Sequence, residues 1–188
     1  MLKRDDCNLR HIEREDLEKI LRWRNSERIR KNMYTDHVIS ADEHMAWFER
    51  SKVQNSNLHL IFEVKEKPAG LLYFTDIDMN NSKSYWGFYI GETDLPHGSG
   101  KALGVLGLAY AFKQLNIRKL CGEAFAFNDA SIRFHKKLGF AEEGRLIKHI
   151  LRRGTYEDVV LFATFHEDWI KIQQKLYEAA FVSEKTQI

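Results

Sequence analysis

The sequence predicts a mixed α/β (α+β) protein in which helices flank a mostly antiparallel sheet. Apolar residues recur at helical spacing early in the chain, at Leu17, Ile20 and Leu21. Three β-rich runs, "NLHLIFEV", "KPAGLLYFTDI" and "KSYWGFYIGE", then follow one another with only turn-prone stretches between them. Such an order predicts an antiparallel meander between two helix-containing regions.

The N-terminal region is predicted to hold one strand and two helices before the meander. Residues 3–12 have the pattern of a short strand, and residues 13–25 have the pattern of an amphipathic helix. A second helix is predicted from about 41 to 52, because Ser40 can cap it and Glu43 lies three residues further on.

Helices and strands alternate after the meander. The predicted elements are a helix over 101–116, a strand over 117–127, a helix over 128–138, a hairpin turning near Arg153 and Gly154, and a helix over 166–180. Asn128 is a good N-cap for its helix, and Gly139 lies just past the last residue of that helix.

Composition indicates one domain with a sizeable core. The 188 residues are 44% hydrophobic and 12% aromatic, without repeats or a linker, so we predict a single domain over 1–182 and assign no role to the tail at 183–188. The 29 Lys and Arg residues balance 27 Asp and Glu residues and are spread along the chain, which indicates no nucleic-acid partner.

Neither a membrane segment nor a metal site is predicted. The N-terminus has no apolar signal-like run, and no later run approaches the roughly 18 apolar residues of a membrane span, so we expect a cytoplasmic protein. Cys7 and Cys121 lie far apart and match no metal or redox spacing, and we expect both to be free thiols.

The segment "LPHGSGKALG" places three glycines between a predicted strand and a predicted helix. Bare backbone amides at a helix N-terminus form a site for an anion, and Gly98 and Gly100 would let a phosphate approach them. Ala102 is also small, and Lys101 could add positive charge. The alternative is a tight turn with close helix packing, since a lone G-x-G is weak evidence.

The following run makes the anion interpretation more specific. Strand "YWGFYIG", the G-x-G/A turn, strand "KLCGEAF" and then N-x-x-S-I-x-F-x-x-K-L-G-F together resemble the GCN5-related N-acetyltransferase (GNAT) superfamily over most of the chain. The resemblance implies acetyl-CoA as cosubstrate. It also implies a twisted sheet of about seven strands, splayed between the fourth and fifth, that receives the pantetheine arm.

The same resemblance assigns residues to the cofactor. Backbone amides of the glycine loop would hold the pyrophosphate, and Asn128 would bond the pantetheine region. The residues implied are Tyr89, Ile90, Gly91, Leu95, Gly98, Ser99, Gly100, Lys101, Ala102, Asn128, Ser131 and Phe134. Leu95 stands where the family usually has Arg or Gln, and we expect this to weaken binding modestly at most, since the amides do most of the holding.

Acetyl transfer to an amine needs a base for the ammonium and an acid for the leaving thiolate. His135 occupies the position of the family's usual Tyr, and we predict it as the acid, the alternative being a polar helix residue without that role. Glu123 is predicted as the base if it lies beside an apolar pocket, the alternative being that it faces solvent. Glu92 is the second candidate base.

Other catalytic residues are less favoured. Tyr110 and Tyr156 are poorer candidates for the acid by position. Cys121 has no evident base and cationic neighbour that would make it a nucleophile, so we predict direct transfer through a ternary complex.

The N-terminal segment "LRWRNSERIRKNMYTDHVISADEHMAWFE" bears on the acceptor. The order and spacing of its residues resemble those of ribosomal-protein alanine acetyltransferases. They resemble still more those of the aminosugar N-acetyltransferases of pseudaminic acid biosynthesis. That resemblance implies a UDP-linked 4-amino-4,6-dideoxy sugar, acetylated at its 4-amino group on the route to flagellin glycosylation.

A UDP-linked sugar needs cations for its diphosphate and flat walls for its rings. The candidate acceptor residues are Arg24, Arg30, Met33, Tyr34, His44, Trp47, Thr75, Tyr85 and Tyr89, with Lys31 as a further cation. The alternatives are that the arginines only solvate helix faces, that Trp47 belongs to the core and that His44 is a packing histidine. Tyr85 and Tyr89 should share one face of their strand, with Trp86 and Phe88 on the other.

Three functions therefore stay open. The preferred one is an N-acetyltransferase for a nucleotide-linked amino sugar, and the alternative is acetylation of a ribosomal-protein N-terminus or a polyamine. A polyamine would call for a strongly acidic cleft, which the near-neutral charge does not favour. The third is a non-catalytic acyl-CoA-binding regulatory module. A homodimer is compatible with the sequence.

Overall fold

The computed structural model describes residues 2–182, so the predicted tail at 183–188 lies outside the described residues. Seven strands form one sheet in the order β1-β2-β3-β4-β5-β7-β6. Their bounds are β1 Cys7–His11, β2 Leu58–Val64, β3 Lys67–Asp78, β4 Lys83–Ile90, β5 Lys119–Phe125, β6 Ala141–Arg152 and β7 Thr155–Phe165. All neighbours are antiparallel except β4 and β5, which are parallel. The predicted fold class is confirmed.

Six α-helices lie among the described residues. They are α1 Leu17–Asn25, α2 Glu27–Arg30, α3 Ala41–Val53, α4 Ser99–Ala109, α5 Asp129–Lys137 and α6 His166–Ala180. The predicted caps are confirmed: Ser40 Oγ accepts from the amide of Glu43, and Asn128 Oδ1 accepts from the amide of Ser131. The short α2 was not predicted, and the first strand begins later than predicted because a 3₁₀ turn occupies Arg4–Asp6.

The sheet separates two apolar clusters. The main core lies under α4 and α6 and contains Trp86 and Phe162, whereas a smaller cluster under α1 and α2 contains Trp23 and Tyr89. Trp86 and Phe88 therefore face one side of β4 and Tyr89 the other, which confirms the predicted alternation. Each face of the sheet therefore packs against its own helices.

The predicted splay is confirmed in the pairing of β4 with β5. The two strands pair only from Lys83–Lys119 to Trp86–Gly122. Beyond that point β4 continues to Ile90 and β5 to Phe125 without pairing to each other. The unpaired backbone edges open a V-shaped gap in the middle of the sheet, into which an extended ligand can bond.

Within the part of the chain that the structure describes, no helix combines the length and the apolar character needed to cross a membrane.

Candidate active site

The glycine loop opens at the N-terminus of α4. Gly98 has φ of 97°, a left-handed conformation that favours glycine, and it begins the eleven-residue helix Ser99–Ala109. A Cβ built on Gly98 or Gly100 would meet nothing within 4 Å, so open space lies beside these amides. The first amides of a helix have no partner within it, and they carry its positive dipole end. The loop therefore has open space for a phosphate group beside these amides, and phosphate binding there stays a prediction.

Backbone groups, rather than side chains, line the open space beside the glycine loop. Ser99 Oγ donates to the carbonyl of Pro96 over 2.7 Å and holds the turn, while Leu95 packs against the main core. Lys101 Nζ donates to the carbonyl of Ala179 over 3.0 Å, at the end of α6. The sequence suggested that Lys101 could add positive charge to the loop. Its ammonium group instead bonds the end of α6.

A cleft of about 1300 Å³ contains the splay and runs across β3, β4 and β5 to the N-terminal helices. Many of the predicted residues line it. They are Arg24, Lys31, Met33, Tyr34, His44, Trp47, Thr75, Tyr85, Tyr89, Ile90, Gly100, Glu123, Asn128, Ser131, Phe134 and His135. The structure therefore brings most of the candidate residues to one continuous cleft. The predicted residues that do not line it are Arg30, Gly91, Leu95, Gly98, Ser99, Lys101 and Ala102.

Glu123 is the first residue of β5 beyond the last pair with β4. Its side chain is exposed to the cleft, so the expectation of a carboxylate buried beside an apolar pocket is wrong. The hydroxyl of Tyr34 donates to Glu123 Oε2, and the Tyr34 ring stands edge-on to Phe125 at 5.2 Å. Burial, with the Glu123 hydrogen bond as a second cause, raises the pKa of Tyr34, which keeps this phenol protonated.

His135 does not have the geometry of the predicted acid. It is 2% exposed, and Trp86 Nε1 donates to its Nε2 over 3.2 Å. The ring proton must then be on Nδ1, which donates to the carbonyl of Ser131 over 2.9 Å. Burial lowers the pKa of His135, so the imidazole is neutral with both nitrogens engaged.

His135 and Glu123 also lie on opposite faces of the sheet. A Cβ built on Gly122 would come within 2.6 Å of His135 Nε2, so His135 occupies the face toward which Gly122 points. Glu123 follows Gly122 in the strand and points to the other face. The predicted acid and base therefore point to opposite faces of the sheet, although both line the cleft that passes through the splay.

The other catalytic candidates are placed outside the cleft. Glu92 Oε1 accepts from Trp23 Nε1 and from Arg22, both over 3.0 Å, so this carboxylate supports α1 and is not a second base. Tyr110 stacks on Phe74 in the main core, and Tyr156 is 57% exposed on β7.

The two predicted arginines have different surroundings. Arg24 lines the cleft, donates through Nη2 to the carbonyl of Thr35 over 2.8 Å and has a buried Nη1 without a partner. Burial lowers the pKa of Arg24. Arg30 instead bonds Glu27 and the carbonyl of Asp36 away from the cleft, so its assignment to the acceptor site is wrong.

Stacked rings form one wall of the cleft. His44 is 5% exposed and lies 4.9 Å from Trp47, nearly parallel to it, and its Nε2 is buried without a partner. The ring of His59 meets that of Trp47 edge-on at 4.9 Å and lies 6.0 Å from the ring of Tyr73. Trp47 therefore lies in the wall and not in the core, and burial lowers the pKa of His44 and lowers that of His59 to about 4.

Several cleft residues were missed by sequence reasoning. They are Arg28, Arg50, His59, Tyr73, Asp76 and Asp129. Tyr73 pairs with Gly87 on β4, between the paired positions of Tyr85 and Tyr89, so the strand alternation of the meander contained a signal for it. The other five have no pattern that separates them from ordinary surface residues.

The open glycine loop, the splayed sheet and the exposed carboxylate define an acyl-CoA-dependent N-acetyltransferase. Residues 9–161 match the family model described as an acetyltransferase (GNAT) domain, and the chain belongs to this family. The enzyme uses acetyl-CoA, which supplies the acetyl group as a thioester.

Known proteins agree with this family assignment. An uncharacterized prophage N-acetyltransferase of Bacillus subtilis, YokL, is 28% identical over 88% of this chain and 93% of its own. The spermidine N(1)-acetyltransferase of Escherichia coli K12 is 24% identical over 86% and 87%. The fold matches that of a Vibrio cholerae spermidine N-acetyltransferase in complex with CoA and spermine, with a TM-score of 0.82 and 22% identity over 88% and 99%.

Proposed function

We propose that this enzyme transfers acetyl from acetyl-CoA to the amino group of a nucleotide-linked amino sugar. The specific acceptor proposed is a UDP-linked 4-amino-4,6-dideoxy sugar of the pseudaminic acid type, acetylated at its 4-amino group. One observation carries this proposal, namely the mixture of charges along the cleft. The cations are Arg24, Arg28, Lys31 and Arg50, and the carboxylates are Glu43, Asp76, Glu123 and Asp129.

Mixed charge fits an acceptor that has both an ammonium and a diphosphate. Glu123 offers a carboxylate to the ammonium at the start of the splay, where acetyl transfer takes place in this proposal. Arg24 has an unpartnered buried N–H, a donor that an oxygen of the diphosphate would satisfy. A ligand that carries only one sign of charge would leave one of the two groups uncompensated.

The ring wall supports the same class of acceptor. Trp47 and Tyr73 present flat surfaces in the cleft, and a uracil or sugar ring can stack against such surfaces. His44 and His59 on the same wall are neutral at pH 7, because burial lowers both pKa values, so they add polar edges without adding charge.

Transfer is proposed to be direct, through a ternary complex. Burial raises the pKa of Cys121, which therefore stays a thiol at neutral pH and is a poor nucleophile. Glu123 is proposed to take the proton from the acceptor ammonium. Isolation of an enzyme acetylated on Cys121 would contradict direct transfer.

Polyamine acetylation is the second candidate, and the comparisons favour it over the amino sugar. Two of the relatives described above are spermidine acetyltransferases, although at 24% and 22% identity. The cleft carboxylates and tyrosines could also bind ammonium groups. The four cations oppose it, because each would repel a chain of ammonium groups.

An acceptor panel separates the two candidates. Thiol release from acetyl-CoA would be followed with a UDP-linked 4-amino-4,6-dideoxy sugar, with spermidine and with an alanine-starting ribosomal peptide. Turnover with the UDP sugar alone is the expected result. Turnover with spermidine alone would replace the acceptor but keep the enzyme class, and retained CoA binding with no turnover on any amine would favour the regulatory module.

A further inference from the structure

The established reaction needs a proton donor for the departing thiolate. His135 is engaged at both nitrogens and lies on the opposite face of the sheet from Glu123. A donor on the same face as Glu123, close to the start of the splay, would complete the acid and base pair within one part of the cleft.

Tyr34 occupies that position. It lies on the loop between α2 and α3, and the loop is held over the sheet by Asn25, whose amide bonds both the N–H and the carbonyl of Ile39 over 2.8 Å. The Tyr34 hydroxyl donates to Glu123, the first β5 residue of the splay. The base candidate and a phenol are therefore already joined by a hydrogen bond at the point where the sheet opens.

We infer that Tyr34 is the general acid of this enzyme and that it forms a proton relay with Glu123. Burial and the hydrogen bond to Glu123 raise the pKa of Tyr34, so the phenol is protonated at neutral pH and has a proton to give. Tyr85 also lines the cleft, but it pairs with Cys121 of β5, before the point where the two strands separate.

The relay balances the protons of acetyl transfer. The acceptor ammonium first loses one proton to the Glu123 carboxylate, which releases it to solvent. The amine then forms the new C–N bond, the C–S bond breaks, and the second nitrogen proton passes to Glu123 while the Tyr34 proton passes to sulfur. Glu123 finally returns its proton to the Tyr34 oxygen. The products are the amide, the free thiol and one released proton.

Tyr34→Phe removes the hydroxyl and keeps the ring against Phe125. With the acceptor that turns over in the panel, kcat should fall roughly 10²-fold while KM for that acceptor changes little. The double variant Tyr34→Phe/Glu123→Gln should be no slower than the slower single variant, because residues that act as a unit are not additive. Tyr156→Phe is the control, because Tyr156 is exposed and lies outside the cleft, and it should leave kcat unchanged alone and in the Glu123→Gln background.

A second measurement does not depend on turnover. A double-mutant cycle of unfolding free energies for Tyr34→Phe and Glu123→Gln, without cofactor, should give a coupling distinguishable from zero, and the pair Tyr34 and Glu92 should give none. A rise in KM with kcat unchanged would overturn the inference and make Tyr34 a binding residue. Multiplicative rate effects or zero coupling would overturn it as well. Because any acceptor of the panel serves, this failure is distinguishable from failure of the amino-sugar proposal.

Discussion

Glu123 combines exposure to the cleft with a position at the opening of the sheet. Glu123→Gln keeps the shape but cannot take a proton, so kcat should fall by roughly 10²-fold or more in steady-state assays. Glu92→Gln is the control, since Glu92 accepts from Trp23 and Arg22 and does not line the cleft. An unchanged kcat in Glu123→Gln would exclude Glu123 as the base.

His135 is expected to contribute mainly to stability. His135→Phe would leave the indole N–H of Trp86 buried without an acceptor, a change that costs about 1–3 kcal/mol. Chemical denaturation should show that loss, while kcat of the folded enzyme stays within a few-fold of the wild type. Trp86→Phe removes the same hydrogen bond from the donor side, so the loss in the double variant should be smaller than the sum of the two single losses.

A fall in kcat of two orders of magnitude in His135→Phe, with CoA affinity intact, would instead restore the acid assigned to His135 from the sequence.

His59 makes stability depend on pH. Burial lowers its pKa to about 4, so between about pH 6.5 and pH 4 the unfolded chain binds a proton that the folded protein does not. The free energy of unfolding should therefore fall as the pH falls through this window. His59→Phe should flatten the decline in thermal melts at pH 7, 6 and 5, and an unchanged slope would contradict the burial of this imidazole.

The residues that sequence reasoning found and missed differ in a physical way. Glu123 was predicted as the base from its place in an apolar strand, and that role stays a prediction, whereas its partner Tyr34 was assigned only to a flat wall of the acceptor site. The contact between them joins positions 89 residues apart, and no local spacing encodes it. The surroundings of His135 were missed for the same reason. Its Nε2 accepts a hydrogen bond from Trp86, which lies 49 residues away in the sequence.

At the scale of elements, the contribution of the glycine loop to CoA binding should be separable from its contribution to stability. A Val side chain at position 100 enters open space, so Gly100→Val should fold normally. The same side chain should obstruct the space beside the loop amides, where the pyrophosphate is predicted to bind. We expect at least about a tenfold weaker affinity for CoA by calorimetry, which is about 1.4 kcal/mol. Gly144→Val is the matched control, since its Cβ also meets nothing within 4 Å, and it should change neither quantity.

A CoA affinity that is equal in both glycine variants would place the pyrophosphate elsewhere.

Most elements were predictable because their signals are local. Caps, apolar period and turn residues lie within a few positions of each other, as at Ser40 and at the hairpin turn beside Gly154. The four-residue α2 and the π-helical turn Tyr110–Gln114 that ends α4 were missed, because short or irregular turns depend on tertiary packing.

At the scale of the molecule, the two faces of the sheet hold different groups of the site. Trp86 and His135 are fixed to each other on the face of the main core, Glu123 points to the opposite face, and the cleft reaches both through the splay. The splay connects the two faces, which is where the family resemblance placed the pantetheine arm. The single domain and the homodimer stay predictions.

The central claim is that the cleft recognises an amine joined to a nucleoside diphosphate. The most direct test compares kcat/KM for the UDP-linked 4-amino sugar with kcat/KM for the same amino sugar without UDP. Because the cations of the cleft would lose their ligand, we predict a fall of at least about 10²-fold, or about 2.7 kcal/mol, without UDP. Equal values for the two acceptors would contradict the claim.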